Sequence, residues 1–154
     1  MRALFPASFN PFHVGHADVL IQALQLFEKV ILCQMTNPEK EKSEILTLQK
    51  VREAYLQVLY DKGLFSSQIF PNNSISIEIV ENDLMVNVAK KLKCDAVIRG
   101  LRNSHDLQYE MDLLAWNKQL GLTIPCPMFL ADQRYAHISS SALRNIAKLQ
   151  KGKS

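Results

Sequence analysis

Short apolar runs of strand length alternate with stretches of helical spacing along most of the chain, and this alternation limits the fold more than any other feature. The runs "ALF" at 3–5 and "KVILCQM" at 29–35 bracket residues 14–27, where Val19, Leu20, Ala23, Leu24 and Phe27 recur at helical intervals. The same reading predicts helices over 47–61, 84–92, 104–119 and about 140–150, with strands at "SISIEIV" (74–80), "AVIRG" (96–100) and "PMFLA" (127–131). Strands separated by helices pair in parallel, because only a crossover returns the chain to the same end of a sheet. The expected fold is α/β, a five-stranded parallel sheet with helices on both faces.

In open, Rossmann-like sheets of this kind ligands bind beyond the carboxyl ends of the strands, so each loop after a strand is a candidate site. With 154 residues, 47% of them hydrophobic, the chain is long enough for one well-filled core and short for two, which predicts a single domain over 1–154. The formal charge of +3 is too small to draw in a long nucleic acid by its overall field, so an anionic partner must be met by local clustering. Cys33, Cys94 and Cys126 are odd in number and lie in apolar runs, which predicts core thiols in a reducing compartment and neither a disulfide framework nor a zinc site. No signal-like leader opens the chain and no window approaches a membrane span, so a cytoplasmic location without membrane contact is expected. The charged run "NPEKEKSE" at 37–44 and the Gly, Pro, Ser and Asn-rich segment 62–73 are predicted to be loops.

After the first strand, "PASFNPFHVGH" places small residues and prolines where a turn precedes a helix, with His13 and His16 in the opening helical turn. A helix N-terminus presents unpaired N–H groups and about half a positive charge, so two imidazoles there face a point to which anions are already drawn. The alternative is that one ring packs and the other is solvated. A metal reading is weaker, since two ligands without a nearby Cys or carboxylate do not close a site.

The stretch "AVIRGLRNSHDLQYE" (96–110) ends a strand with Arg99, Gly100, Leu101 and Arg102, then opens a helix that Asn103 or Ser104 caps. Guanidinium forks suit phosphate, and Gly100 lets the turn be tight enough for both to converge; pairing with Asp106 and Glu110 is the structural alternative. On the following helix Asp106, Glu110, Leu113 and Asn117 recur opposite an apolar stripe of Leu107, Met111 and Leu114, so a carboxylate and an amide are expected to line a cleft. Near the end, "RYAHISSSALRN" (134–145) gives three successive serines at a helix start. Ser139 is a natural N-cap, and the run is read either as ordinary capping or as hydroxyl and backbone donors for a triphosphate.

The H-x-G-H pattern of "HVGH" is of the type shared by nucleotidylyltransferases, and "FPASFNPFHVGH", "RGLRNSHDLQYE" and "ISSS", in that order, closely resemble bacterial phosphopantetheine adenylyltransferases over nearly the whole chain. The resemblance implies ATP and 4'-phosphopantetheine as substrates, Mg2+ carried by ATP with no metal site of the protein's own, and a homo-oligomer, hexameric in that family. It implies that Ser8, Phe9 and His16 meet ATP, with His16 stabilising the transition state, and that Ser8 and Arg99 touch the acceptor's phosphate. Gly100, Leu101, Arg102 and Glu110 would line the ATP site with Tyr135, Ala136, His137, Ile138, Ser139, Ser140 and Ser141. Leu84, Met85 and Asn117 would border the pantetheine arm. The family's phosphate-binding lysine falls on Lys40 when counted from Pro38 and on Lys42 when counted back from "LTL"; Lys40 is favoured. The family's usual Gly-Thr-Phe-Asp stands here as Ala7, Ser8, Phe9 and Asn10, and its Thr before x-G-H is His13. Two rivals remain: a nicotinate or nicotinamide mononucleotide adenylyltransferase, which "FNPFHVGH" also suits, and a nucleotide-binding relative without turnover.

Overall fold

The computed structural model describes residues 1–39, 43–64 and 70–152. Lys40, Lys42 and the middle of the 62–73 segment lie outside the described residues.

Strand β1 (Arg2–Ala7) leads into helix α1 (Val14–Leu24), followed by β2 (Lys29–Thr36) and α2 (Leu48–Asp61). A single 3₁₀ turn, Asn72–Ser74, delivers the chain to β3 (Ile75–Glu81), then α3 (Met85–Lys91), β4 (Ala96–Val97) and β5 (Arg99–Leu101). Helix α4 (Ser104–Gln119), β6 (Met128–Leu130), a 3₁₀ turn at Gln133–Tyr135 and α5 (Ser140–Lys151) complete the described order. Every strand pair is parallel, and the four-stranded sheet runs β3-β2-β1-β4.

One expectation needs correction. The strand predicted as continuous over 96–100 is divided at Ile98, and its second part pairs with β6 in a separate two-stranded sheet. The cause lies in the neighbouring segment. Pro125 and Pro127 accept from the N–H groups of Val97 and Arg99 at 3.0 and 3.2 Å but have no N–H to return, so the ladder on that side is one-sided until Met128. Ile98 meanwhile donates to the Leu4 carbonyl at 2.8 Å, which keeps the divided strand against β1.

Alternation along the strands divides the core into two layers. Ala3 and Phe5 of β1 and Val30 and Leu32 of β2 pack with Val19, Leu20 and Ala23 of α1 and Val51, Tyr55 and Val58 of α2. Leu4, Ile31, Cys33 and Val97 point the other way, toward Val86, Val88 and Ala89 of α3 and Leu122. Each fully buried Leu, Val or Phe contributes about 1.5 to 3 kcal/mol, so both layers are needed to hold the sheet. Cys33 and Cys94 are buried and Cys126 half-buried, and all three thiols are free. No helix among the described residues is long and apolar enough to cross a membrane.

The chain passes from β1 to β2 on one side of β1 and reaches β4 on the other. Strand order therefore reverses at β1, and the crevice beyond its carboxyl end lies between the loops that follow β1 and β5.

Candidate active site

His13 is the N-cap of α1, and its Nδ1 accepts from the Gly15 N–H at 3.1 Å. The His16 Nδ1 accepts in turn from the His13 N–H at 3.1 Å, so two imidazoles form the reciprocal box that a hydroxyl and a carboxylate usually make. This geometry explains the glycine between them: a Cβ on Gly15 would stand 2.9 Å from His13 Cε1, and the ring could not fold back. The two rings stack with centroids 3.7 Å apart. Because both Nδ1 atoms accept, the ring protons sit on Nε2. Burial, followed by the Arg102 charge, lowers His13 to about 4. His16 is held well below 6.5 by burial first, then by His13, Arg102 and Arg99. At neutral pH both are uncharged donors.

Phe9 lies beneath this pair, 2% exposed, its ring edge-on to His16 at 5.0 Å. It sits in the left-handed region at φ 45°, which costs about 1 to 2 kcal/mol in a residue with a Cβ and is offset by burying the ring.

Arg99, which opens β5, and Arg102, in the turn after it, combine both readings of the two arginines. Arg99 donates through Nε and Nη2 to the Glu110 carboxylate, both at 2.7 Å, and through Nη1 to the Pro6 carbonyl. Arg102 donates through Nε and Nη2 to Asp106 at 3.0 and 3.2 Å and through Nη1 to the Ile138 carbonyl at 3.3 Å. Burial pushes Asp106 up, but its bonds to the Arg102 side chain and N–H, with that charge, outweigh burial and leave it below the usual carboxylate range. Asn103 caps α4 by accepting from the Asp106 N–H at 3.0 Å. Gly100 is required by packing, since a Cβ there would meet Val19 Cγ2 at 2.8 Å.

On α4 the expected carboxylate, Glu110, faces the cavity, but most of the apolar stripe does not pack inward. Glu110 and Asn117 are buried while Leu107 and Met111 are exposed, and only Leu114 packs against the core. The inner side of α4 must supply a carboxylate to Arg99, so polar residues face inward.

The three serines are used in three ways. Ser139 Oγ caps α5 by accepting from the Ala142 N–H at 3.1 Å, Ser140 Oγ donates to the Pro11 carbonyl at 2.9 Å, and Ser141 Oγ accepts from Arg144 Nη2 at 3.2 Å.

These elements meet around one cavity of about 320 Å³. Of the residues expected at the site, Ser8, His16, Arg99, Gly100, Leu101 and Arg102 line it, as do Glu110, Ser139, Ser140 and Ser141. Tyr135 is buried, Ala136 and Ile138 half-buried and His137 exposed; this segment leads into Ser139 without lining the cavity. Leu84 and Met85 at the start of α3, and Asn117 on α4, also stand outside its lining. A second cavity of about 620 Å³, bordered by Asn10, Thr36, Asn37 and Asn82, shares Ser8 and Arg144 with the first. Among the described residues no group of three or more His, Cys, Asp or Glu side chains is arranged to hold a metal ion.

Sequence reasoning missed three residues. Arg144 follows Ser140 by four positions on α5, which puts it on the same helix face, and it donates to the Asn10 carbonyl and Ser141. Gln34 is fully buried, donates to the Ser8 and Glu44 carbonyls at 3.1 and 2.8 Å and accepts from the Leu46 N–H at 2.9 Å. A lone amide in the apolar run of β2 was the available signal. Asp18 is fully buried two residues after His16.

Oriented donors for phosphate without an activated nucleophile, at the carboxyl ends of a parallel sheet, make a nucleotidyltransferase site, and residues 4–146 match the family described as Cytidylyltransferase-like. The chain is 36% identical over 151 residues to the phosphopantetheine adenylyltransferase of Streptococcus gordonii, covering 96% of this chain and 82% of that one. The corresponding protein of Streptococcus sanguinis is 35% identical with the same coverage, and that of Symbiobacterium thermophilum 31% identical over 96% of this chain and 83% of its own. The chain belongs to the phosphopantetheine adenylyltransferase branch of the Cytidylyltransferase-like family.

Proposed function

We propose that the protein transfers AMP from MgATP to 4'-phosphopantetheine, giving dephospho-coenzyme A and pyrophosphate. The observation that carries this reading is the pair of adjoining cavities joined at Ser8 and Arg144, one rich in phosphate donors and one bordered by amides and hydroxyls together with Met35 and the Asp83 carboxylate. Two phosphorylated molecules laid end to end across that junction would meet between His16 and Arg144.

An oxygen of the acceptor phosphate attacks the α-phosphorus of ATP in line, and the bond to the β-phosphate bridging oxygen breaks to release pyrophosphate. The acceptor is already a charged nucleophile, so no side chain need form a covalent intermediate. Alignment of two bound reactants contributes as much as about 7 to 11 kcal/mol, and donors aimed at the developing charge add to it. The neutral Nε2–H groups of His13 and His16 and the N-terminus of α1 are such donors, and Arg99, held by Glu110, offers its remaining N–H groups to the acceptor's phosphate. Arg144 would stabilise negative charge at the junction. Magnesium arrives as part of the MgATP substrate. Consumption of ATP fits a cytoplasmic enzyme, and a homo-oligomer, hexameric as the resemblance implies, would cover the apolar outer side of α4, where Leu107, Met111 and Trp116 are exposed.

Incubation with MgATP and each acceptor in turn, with pyrophosphate measured, tests the reading. Release with 4'-phosphopantetheine and none with nicotinate or nicotinamide mononucleotide is expected. Release with a mononucleotide alone would replace the acceptor, and tight ATP binding with no product from any acceptor would point to the relative without turnover.

A further inference from the structure

Asp18 is 0% exposed and has no part in the chemistry above. It lies two residues after His16 on α1, about 200° around the helix, so it faces away from the phosphate cavity. Its Oδ1 accepts from Lys62 Nζ at the C-cap of α2. Its Oδ2 accepts from the Asp132 N–H at 2.8 Å and from Gln22 Nε2 at 3.1 Å, and the same Gln22 amide donates to the Leu130 carbonyl at 2.9 Å. One buried carboxylate thus joins α1, the end of α2 and the connection from β6 to α5.

The residue before Lys62 strengthens that connection. Asp61 Oδ2 accepts from the Tyr135 hydroxyl at 2.8 Å, and the Asp61 carbonyl accepts from Arg134 Nη1 at 2.7 Å. The segment from Asp132 to Tyr135 is therefore tied at its first backbone N–H, at Arg134 and at Tyr135, and it runs directly into Ser139, Ser140 and Ser141 on the cavity wall. A buried carboxylate is costly unless every lone pair is met, and here the partners come from three separate elements, which sets their relative placement.

We propose that Asp18 is a positioning residue for the segment Asp132–Ser141, fixing the wall of the nucleotide cavity through Lys62 and the Asp132 N–H. The proposal rests on the nucleotide reading of that cavity. It acts through backbone placement and touches no substrate.

The test uses the full chain. In Asp18→Asn the amide still accepts from Asp132, but its NH2 cannot accept from the Lys62 ammonium, so the tie loosens. The expected result is an ATP Kd raised about ten-fold by calorimetry, with kcat at saturating ATP and the acceptor KM within about three-fold of wild type. Amide exchange should quicken across 132–141 and stay unchanged in β1 and β2. Lys62→Met, altered at the more exposed end of the pair, carries the same expectation if Asp18→Asn does not fold, and Lys62→Arg should keep wild-type ATP affinity. Unchanged ATP affinity with a lowered Tm, or exchange quickened evenly over the molecule, would overturn the proposal. Wild-type protein that binds no ATP would reject the nucleotide reading, while the ligand-free exchange comparison would still decide whether Asp18 governs 132–141.

Discussion

His13 and His16 after β1, and Arg99 at the start of β5 with Arg102 just beyond its end, are both pairs of donors three residues apart, on the walls of one cavity, yet they are built on opposite physical terms. The imidazoles lose their charge to burial and are aimed by backbone N–H groups. The guanidiniums keep their charge and are aimed by the carboxylates of Glu110 and Asp106. The difference teaches how a cavity receives a polyphosphate without repelling its own donors: had both pairs been free cations, four like charges would have crowded one small space. Two neutral rings and two compensated forks leave directed N–H groups with little net charge, and Arg144, which bonds only a carbonyl and a hydroxyl among the contacts described, stands apart from both pairs.

The largest effect expected falls on the arginine side. Glu110→Gln removes the charge from a mostly buried pair and leaves Arg99 half-held, so urea unfolding should show a loss of about 3 to 5 kcal/mol. A loss below 1 kcal/mol would mean that Arg99 is held chiefly by the Pro6 carbonyl. On the histidine side, His16→Ala should lower kcat by about 10² to 10³ while the protein stays folded, the cost of one preorganised donor. Near-normal turnover in that variant would remove His16 from the chemistry.

Charge loss at the imidazoles has a pH consequence. Below the ordinary histidine value of 6.5 the unfolded chain takes up protons that the folded rings refuse, so stability present above that pH is lost as pH falls toward about 4. Between pH 7 and 4.5 the share due to His13 is roughly 2 to 3 kcal/mol. In His13→Thr, where a hydroxyl replaces the ring at the cap, unfolding curves at the two pH values should differ by that much less. Equal pH dependence in the two proteins would contradict the assigned burial. The smallest effect is expected at the residue outside both pairs: Arg144→Met should raise the KM for ATP about ten-fold, as for one lost charged hydrogen bond, with thermal stability little changed.

The strands and helices were legible because their periods are long and regular, and the loops that follow β1 and β5 were legible because small residues, prolines and polar groups interrupt those periods. The split of the fourth strand was not, since it depends on Pro125 and Pro127 offering carbonyls across space without N–H groups. The exposure of Leu107 and Met111 was hidden for a related reason: the inward side of α4 is taken by the Glu110 carboxylate that Arg99 requires, and Arg99 lies on a different element. The H-x-G-H spacing was visible, but the demand it places on Gly15 appears only when the His13 ring is folded back over it. Gln34 and Arg144 left only faint local marks, a lone amide in an apolar run and a four-residue spacing from Ser140, while the Asp18 contacts to Lys62 and Asp132 span 44 and 114 residues and leave none.

The most direct measurement is the ¹⁵N spectrum of the histidine rings between pH 5.5 and 7.5. Both His13 and His16 should show neutral rings protonated at Nε2 throughout that range. A titration of either ring near 6.5, or a proton on Nδ1, would contradict the account of the cavity as a set of uncharged, backbone-aimed donors facing carboxylate-held guanidiniums.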